Sequence, residues 1–422
     1  MTQAVDQPGI SRLRVGAAID PVVGAIPNAA IWCRAGRVIA CGPANQVDTA
    51  VTARLHSTSD VVELDRSQQL ALPGLVNAHA HLDLGFLPRK PFDGDFVTWA
   101  KGVGSARFET NDAEIRRAVL DAVQASAEAG VAVLGDIAGS ETAVEARAAA
   151  AAKHALAGIS WLEVFGISPS AGRATELATE RLRALRSRFS APAFDIELQP
   201  HAPYSAGLPL YWVAASGGRP STHLSETPEE LEFVREANGP FRDLLVEIGK
   251  WTDEVPATGG TPVAHLAACL DAAPFVLAHL NYATDKDLDR LVSTESSIAY
   301  CPVASDYFGH RDHRYREMAE RGINVCLGTD SISCQPSGES QPHGILPQAR
   351  HLWRRDRTDP DLLFRMATVN GARALGLEAS WGSLSKGFGS RFALAPLLRR
   401  GSETPWRDLL EADVPLEGIL VA

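Results

Sequence analysis

Eight short apolar runs, separated by longer stretches with helical patterning, constrain the fold of this chain more than any other feature. The runs are Leu70–Ala78, Val131–Ile137, Ile159–Phe165, Phe194–Leu198, Ser221–Leu224, Phe275–Ala278, Ser297–Tyr300 and Ile323–Leu327. Strands that alternate with helices form βαβ units whose strands pair in parallel. Eight such units within ~260 residues fit a (β/α)₈ barrel in number and length. We therefore predict an α/β chain with a TIM-like barrel in its middle.

Both ends of the chain carry a different pattern of short strands. Ala30–Cys33 and Arg37–Ala40 flank Ala35–Gly36, which predicts a hairpin. Val61–Leu64 near the start and Phe392–Leu394 near the end are further short strand signals. Two interpretations are open: the ends are unrelated tails, or they meet in one small β unit.

A long aromatic segment follows the first predicted strand. About 30 residues separate His81 from the next predicted helix, which begins at Asn111 with the spacing of a capping box. This segment contains Phe86, Phe92, Phe96, Trp99 and Phe108. We expect a loop over the barrel mouth that places an aromatic ring on a ligand or excludes water, or else a satellite cluster of its own.

Composition narrows the classes of partner. The chain has 40 Lys and Arg against 51 Asp and Glu, which gives a net charge of −11. Binding to the phosphate backbone of nucleic acids is therefore not expected. No run approaches the ~20 apolar residues of a membrane span, and the first residues show no apolar leader. The 6 cysteines form no C-x-x-C pair, which favours reduced thiols and a cytoplasmic location.

Polar residues with metal-ligand chemistry cluster at the ends of the predicted strands, where barrel enzymes have their active sites. The cluster comprises His79, His81, His201, His223, Glu226, His279 and Asp330. His79 and His81 are two apart, so both rings point to one side of a strand, as ligands of one ion must. Imidazoles with one carboxylate suit Zn²⁺ and also Fe²⁺. We predict one divalent ion, most simply Zn²⁺.

Three His and one Asp would leave a ligand position for a water, whose pKa the ion would lower toward ~7. Glu226 lies three residues after His223, a position suited to a general acid/base that moves protons beside the ion. The alternative is a carboxylate at a helix N-terminus, because Thr227 and Pro228 begin a helix. The fourth strand ends in Gln199 rather than a bridging Lys, which favours a single ion.

These motifs resemble the amidohydrolase superfamily over nearly the whole chain. The segments that carry the resemblance are Pro73–Leu82, His201–Ser205, His223–Thr227, Leu277–Asn281, Tyr300–Pro302 and Leu327–Ser331. The chain is similar to the cytosine-deaminase-like branch, which includes adenosine, S-adenosylhomocysteine and methylthioadenosine deaminases. Within that branch it looks most like the aminodeoxyfutalosine deaminases of menaquinone synthesis.

The resemblance implies a barrel over residues 70–375 and a small β-sandwich from residues 1–69 and 376–422. It also implies a role for each site residue. His79, His81, His223 and Asp330 would hold the metal, and Glu226 would shuttle the proton. His279 would hold the hydroxide formed at the metal, and His201 would contact the substrate's sugar.

Three further residues are candidates for the pocket. Glu163 ends the third predicted strand inside an apolar run, where it would bind a substrate hydroxyl or else a buried structural partner. Trp99 in the aromatic segment and Tyr307 after the seventh strand would line the pocket. His310 is a similar candidate to Tyr307.

Two reactions fit the predicted site. The first is hydrolytic deamination of a 6-aminopurine nucleoside such as aminodeoxyfutalosine, a small molecule. The second is hydrolysis of a cyclic amide or imidazolone, or of a triazine. A metal-bound protein without activity is a third, weaker reading, which the complete ligand set and Glu226 oppose. On frequency alone, a homodimer is the expected assembly.

Overall fold

The structure is a computed structural model that describes residues 9–55, 61–167 and 170–421. The expectation about the first residues of the chain lies largely outside this range. The strands are β1 (Ile10–Asp20), β2 (Gly24–Pro27), β3 (Ala29–Arg34), β4 (Arg37–Pro43), β5 (Val61–Pro73), β6 (Leu75–His81), β7 (Val131–Ala138), β8 (Ala157–Val164), β9 (Phe194–Pro200), β10 (Ser221–Leu224), β11 (Val276–His279), β12 (Ser297–Tyr300), β13 (Asn324–Leu327), β14 (Asp330–Ser331), β15 (Arg391–Pro396) and β16 (Glu417–Leu420).

The helices lie mostly between these strands. They are α1 (Ala44–Thr52), α2 (Phe96–Glu109), α3 (Asp112–Glu128), α4 (Glu141–His154), α5 (Ala171–Phe189), α6 (Leu208–Ala215), α7 (Pro228–Glu236), α8 (Pro240–Glu247), α9 (Pro262–His265), α10 (Ala267–Ala272), α11 (Asp285–Val292), α12 (Pro302–Tyr307), α13 (Tyr315–Glu320), α14 (Ile345–Asp356), α15 (Pro360–Ala367), α16 (Val369–Ala374) and α17 (Pro405–Glu411). Among the described residues, none of these helices has both the length and the apolarity needed to cross a membrane.

The two ends of the chain meet in one seven-stranded sheet. Its order is β16-β15-β5-β1-β3-β4, and β2 pairs with β1. The predicted hairpin is present as β3 and β4, with Ala35 and Gly36 both at positive φ as a tight hairpin turn requires. The late strand β15 pairs antiparallel with β5, with Phe392 opposite Pro73. The expectation of a joint unit is therefore confirmed for the described residues.

Gly74 separates this sheet from the barrel. A Cβ atom at Gly74 would lie 2.3 Å from the Ala132 Cβ and 2.7 Å from the Arg391 carbonyl oxygen, so only glycine fits there. The first predicted run, Leu70–Ala78, is therefore two strands and not one. Its first part completes β5, which extends to Pro73 in the terminal sheet, and the first barrel strand begins at Leu75.

Eight parallel strands form the barrel region. β6 to β9 lie in one sheet, with β14 on the outer side of β6, and β10 to β13 lie in a second sheet. The sheets meet at two seams bridged by backbone hydrogen bonds, from His223 N–H to the His201 carbonyl at 3.0 Å and from Thr329 N–H to the His79 carbonyl at 2.9 Å. The predicted alternation of strands and helices is thus present, and the carboxyl ends of the strands face one region.

The aromatic segment after His81 contains a helix that the sequence analysis did not predict. α2 begins where the Asp95 side chain accepts the Thr98 N–H at 3.0 Å. Two glycines inside α2, Gly102 and Gly104, weaken the helical signal in the sequence. Phe96 is buried beside Trp99 and Phe308, so the satellite-cluster interpretation accounts for this part of the segment.

Candidate active site at the barrel mouth

The four predicted metal ligands lie together at the mouth of the barrel. His81 Nε2 lies 3.2 Å from His223 Nε2, and Asp330 Oδ1 lies 3.6 Å from His81 Nε2 and 3.9 Å from His79 Nε2. The two histidines of β6 thus face His223 on β10, in the other sheet of the barrel region, and Asp330 on the neighbouring strand β14. One ion can contact a ring nitrogen or carboxylate oxygen from each residue only when the atoms converge in this way.

Burial and hydrogen bonding show that this group fits a metal. His79 is fully buried, and within the described structure neither of its ring nitrogens has a hydrogen-bond partner. Buried polar atoms without partners are rare and call for an explanation. Burial, reinforced by the charge of neighbouring imidazoles, lowers the pKa values of His79 and His81 well below the usual value. The rings are therefore neutral, which is the form that binds metal.

His223 is oriented by a bond on its far side. Its Nδ1 lies 2.9 Å from the His201 carbonyl oxygen and donates to it, so Nε2 faces His81 with a free lone pair. A backbone carbonyl at the distal nitrogen is a common way to fix a ligating histidine. Gln199 occupies the position at which a two-metal site would carry a bridging Lys. Its Nε2 lies 3.1 Å from the same Nδ1.

Glu226 lies beside His279 on the next strand. The Glu226 Oε1 is 3.4 Å from His279 Nε2, and both side chains are almost completely buried. Burial raises the pKa of Glu226 well above its usual value, and the charges of Asp330 and Glu230 act in the same direction. A carboxyl group with a raised pKa can both accept and return a proton near neutral pH. The raised pKa therefore favours the predicted role of Glu226 in proton transfer over the alternative of a carboxylate that only stabilises a helix N-terminus.

The backbone around Glu226 is held by Glu230, a residue that the sequence analysis passed over. The two carboxylate oxygens of Glu230 accept the N–H groups of Ser225 and Glu226 at 2.9 and 2.8 Å. Thr227 and Glu230 have the spacing of a capping box, and the Thr227 hydroxyl does accept the Glu230 N–H at 3.2 Å. This spacing is the sequence signal that could have identified Glu230. Its carboxylate, however, binds the backbone of the loop that carries Glu226.

Three site positions have strained backbones. Ser225, His279 and Asp330 have φ angles of 50°, 72° and 60°, in the left-handed region that side chains other than glycine seldom adopt. Such residues cluster at functional sites, where the surrounding structure maintains the conformation. His313, which the sequence analysis did not select, contributes by donating its Nε2–H to the His279 carbonyl at 2.7 Å.

Asn77 connects the ends of β6 and β14 that carry candidate metal ligands. Its Nδ2 donates to the Thr329 hydroxyl at 2.8 Å, and its Oδ1 accepts the Thr329 N–H at 3.2 Å. Asp330 follows directly, and its Oδ1 accepts the Ser331 N–H at 2.7 Å. Burial raises the pKa of Asp330 to about 6. The Asp330 carboxylate is therefore held in place by backbone bonds before any ion binds.

A cavity of about 770 Å³ opens above these residues. Its walls include the predicted residues His81, Trp99, Glu163, His201, His223, Glu226, His279 and Asp330. Tyr307 is not among the lining residues, because its ring packs against Phe92 and Phe308 and borders a neighbouring groove. His310 also lies elsewhere, with its Nδ1 3.0 Å from the Tyr282 hydroxyl. The structure thus assembles the predicted site without these two residues.

The outer part of the cavity is aromatic. Phe165 stacks on His201 with ring centroids 4.7 Å apart, and Phe108 on α2 is 93% exposed. Large exposed aromatic side chains at a cavity are typical of ligand sites. This wall therefore suits a flat or apolar part of a ligand.

Comparison with known proteins identifies the family. Residues 70–395 match the model of the amidohydrolase family. A 5-methylthioadenosine/S-adenosylhomocysteine deaminase of Pyrococcus furiosus is 26% identical over 361 residues, covering 83% of this chain and 80% of the relative. An aminodeoxyfutalosine deaminase of Deinococcus radiodurans is 27% identical over 328 residues, covering 74% and 75%.

A solved structure agrees with this match in fold. The Helicobacter pylori aminofutalosine deaminase, in complex with methylthio-coformycin, superposes with a TM-score of 0.82 at 17% identity, over 97% of this chain and 98% of that one. The family match covers the barrel strands and reaches β15 of the terminal sheet. The chain belongs to the amidohydrolase family.

Proposed function

We propose that this protein is a hydrolytic deaminase of a 6-aminopurine nucleoside, with an aminodeoxyfutalosine-like compound as the leading substrate. The names of two relatives that cover most of the chain, both deaminases of adenosine-type nucleosides, support the substrate class. The reaction consumes one water, replaces the ring amino group by a carbonyl oxygen, and releases ammonia.

The metal site proposed for this reaction consists of His79, His81, His223 and Asp330. The neutral imidazoles and the single carboxylate favour Zn²⁺, with Fe²⁺ as the second choice. A divalent ion bound there would lower the pKa of a water and so supply a nucleophile at neutral pH.

Glu226 is proposed to move the proton. Its carboxylate would take the proton of the attacking water and deliver it to the ring nitrogen next to the carbon that carries the amino group. His279, 3.4 Å away, would orient the nucleophile from the other side. The pairing of Glu226 with His279 beside the ligand set is the observation that carries this proposal. A similar division between a metal and a non-ligand Glu operates in zinc deaminases of other folds.

Glu163 and His201 are proposed to bind the sugar. The Oε1 of Glu163 is buried, has no hydrogen-bond partner in the part of the chain that the structure describes, and lies 3.9 Å from His201 Nε2. Burial lowers the pKa of His201 to about 3, so the ring is neutral. The Ser205 hydroxyl donates to the Ala202 carbonyl at 3.2 Å, so the Nδ1–H of His201 donates to Ser205 Oγ at 2.6 Å and Nε2 keeps a free lone pair. One hydroxyl of the sugar would then donate to Glu163, and a neighbouring hydroxyl would donate to His201 Nε2.

Ammonia release from a panel of substrates tests the proposal. The metal-loaded protein is incubated with aminodeoxyfutalosine, S-adenosylhomocysteine, methylthioadenosine, adenosine and guanine. We expect ammonia and a product heavier by about one mass unit from the 5′-substituted nucleosides, since an NH₂ group is replaced by an oxygen with a ring N–H. Activity on cyclic amides, triazines or free bases, with none on any 5′-substituted adenosine, would contradict it.

A further inference from the structure

One buried charge cluster fastens helix α2 to the barrel. The Arg107 guanidinium, in the last turn of α2, donates one N–H to Glu163 Oε2 and another to Asp83 Oδ1 at 3.3 Å. Asp83 also accepts the Gly139 N–H at 3.1 Å. The cluster therefore joins α2 to segments at the ends of β6, β7 and β8.

Arg107 offsets part of the charge of the two acids. The Glu163 and Asp83 side chains are only 1% and 4% exposed, and burial by itself would raise the pKa of each carboxyl group. At Glu163 the charges of Arg107 and the neighbouring imidazoles outweigh burial, and the pKa is lowered. Glu163 is therefore ionised at neutral pH, so each of its oxygens is able to accept a hydrogen bond.

The contact with Arg107 distinguishes the two carboxylate oxygens of Glu163. Oε2 accepts from Arg107, whereas Oε1 has no hydrogen-bond partner among the described residues and lies 3.9 Å from His201 Nε2. A bond to only one carboxylate oxygen fixes the rotation of the group. The free oxygen is thereby directed at the position proposed above for a sugar hydroxyl.

We propose that Arg107 is a positioning residue for substrate recognition, which orients Glu163 so that its free oxygen binds a sugar hydroxyl. The inference rests on the proposed function, because it requires a substrate with such a hydroxyl. Arg107 need not contact the substrate itself. Its effect passes through Glu163 and depends on the hydroxyl being present.

The test compares methylthioadenosine with its 2′,3′-dideoxy analogue in the wild type and in Arg107→Met. A hydrogen bond to a charged group corresponds to roughly a 10- to 100-fold effect. We expect Arg107→Met to raise KM for methylthioadenosine by roughly that factor while kcat changes much less. KM for the dideoxy analogue should change little. Arg107→Lys, which retains the charge without the fork of donors, should give an intermediate value.

Two controls separate positioning from a general loss of structure. Asp95 also stabilises α2, because its side chain accepts the Thr98 N–H at 3.0 Å at the start of the helix, but it does not line the cavity. Asp95→Ala should leave the discrimination between the two nucleosides unchanged. In the double variant Arg107→Met/Glu163→Gln, the loss of discrimination should equal that of Glu163→Gln alone, because both changes remove one interaction.

Four results would overturn the inference. Equal losses on both nucleosides would show that Arg107 acts only on folding. Additive losses in the double variant would show that Arg107 contacts the substrate independently of Glu163. An unchanged KM in Arg107→Met, with deamination intact, would refute the positioning role while leaving the proposed function standing. The inference and the proposed function would both be refuted if the wild type deaminated no nucleoside, or if the Glu226→Gln variant did not bind methylthioadenosine in calorimetry.

Discussion

Replacing Glu226 by Gln isolates proton transfer from the structure of the site. The backbone of this residue is held without its carboxylate, because Glu230 accepts its N–H and Asn281 Nδ2 donates to its carbonyl at 3.0 Å. Gln has nearly the same shape, so the loop should retain its conformation. Burial raises the Glu226 pKa and so favours the neutral form of its carboxyl group in the metal-free protein, a form that the neutral amide of Gln resembles in charge and shape.

The expected magnitude follows from this geometry. Loss of a general acid/base reduces turnover by ~10²–10⁴-fold. The near-complete burial of Glu226 and its place next to His279, on the wall of the same cavity, favour the upper part of that range, since no other acid of the described structure lies as close to His279 Nε2. The metal ligands are untouched, so metal content should not change. Thermal stability should change by less than ~1 kcal/mol for a near-isosteric exchange.

The assay measures kcat from ammonia release, metal content by elemental analysis, and thermal unfolding in parallel. Glu229→Gln is the matched control, because Glu229 lies only three residues further along the chain, in the first turn of α7, is partly exposed, and does not line the cavity. That control should retain wild-type turnover. Near-full turnover in Glu226→Gln would refute the reasoning, and so would loss of the metal, which would mean that Glu226 is a ligand.

Three further results are expected. The protein should bind close to one divalent ion per chain and lose it in His79→Ala, as elemental analysis would show; two ions at full occupancy would contradict a mononuclear site. Burial raises the pKa of Asp136 in the folded protein to about 7 from its usual 3.8. Between these two values the unfolded chain has released the proton while the folded protein retains it, so the free energy of unfolding should fall as the pH rises through this interval. Asp136→Asn should flatten that part of the curve of unfolding free energy against pH, and an unchanged slope would contradict it. Trp161 is fully buried and donates to the Arg219 carbonyl at 2.8 Å, so Trp161→Phe should cost ~1–3 kcal/mol in denaturant unfolding, and a neutral effect would be inconsistent with this contact.

Local signals in the sequence were sufficient for the barrel strands and for the residues at their ends. β10 and β12 match their predicted bounds, because short apolar runs between turn residues are a local property. The candidate histidines lie in or next to the last residues of barrel strands, and the ends of parallel barrel strands converge on one face. Their convergence could therefore be predicted without knowing any distance.

Structure that depends on residues far apart in the chain was not visible in this way. Leu70–Pro73 reads as part of the first barrel strand, yet it pairs with β15 more than 300 residues later, and this pairing decides its sheet. α2 escaped notice because Gly102 and Gly104 weaken its pattern, whereas packing of Phe96 against Phe308 stabilises it. Propensity is a weak guide where tertiary contacts stabilise an element.

The sequence by itself determined the type of fold, the candidate ligands and the candidate proton carrier, since each depends on residue type and on position relative to a strand. Only the tertiary structure decided which groups support them. Arg107 orients Glu163 across 56 positions of the chain, and Glu230 holds the loop of Glu226 with its carboxylate rather than capping a helix. Tyr307, which a linear reading placed near the mouth, turns toward another groove because its ring packs on Phe92. The physical reason is that side-chain direction and burial depend on neighbours from other elements, and local sequence does not specify those neighbours.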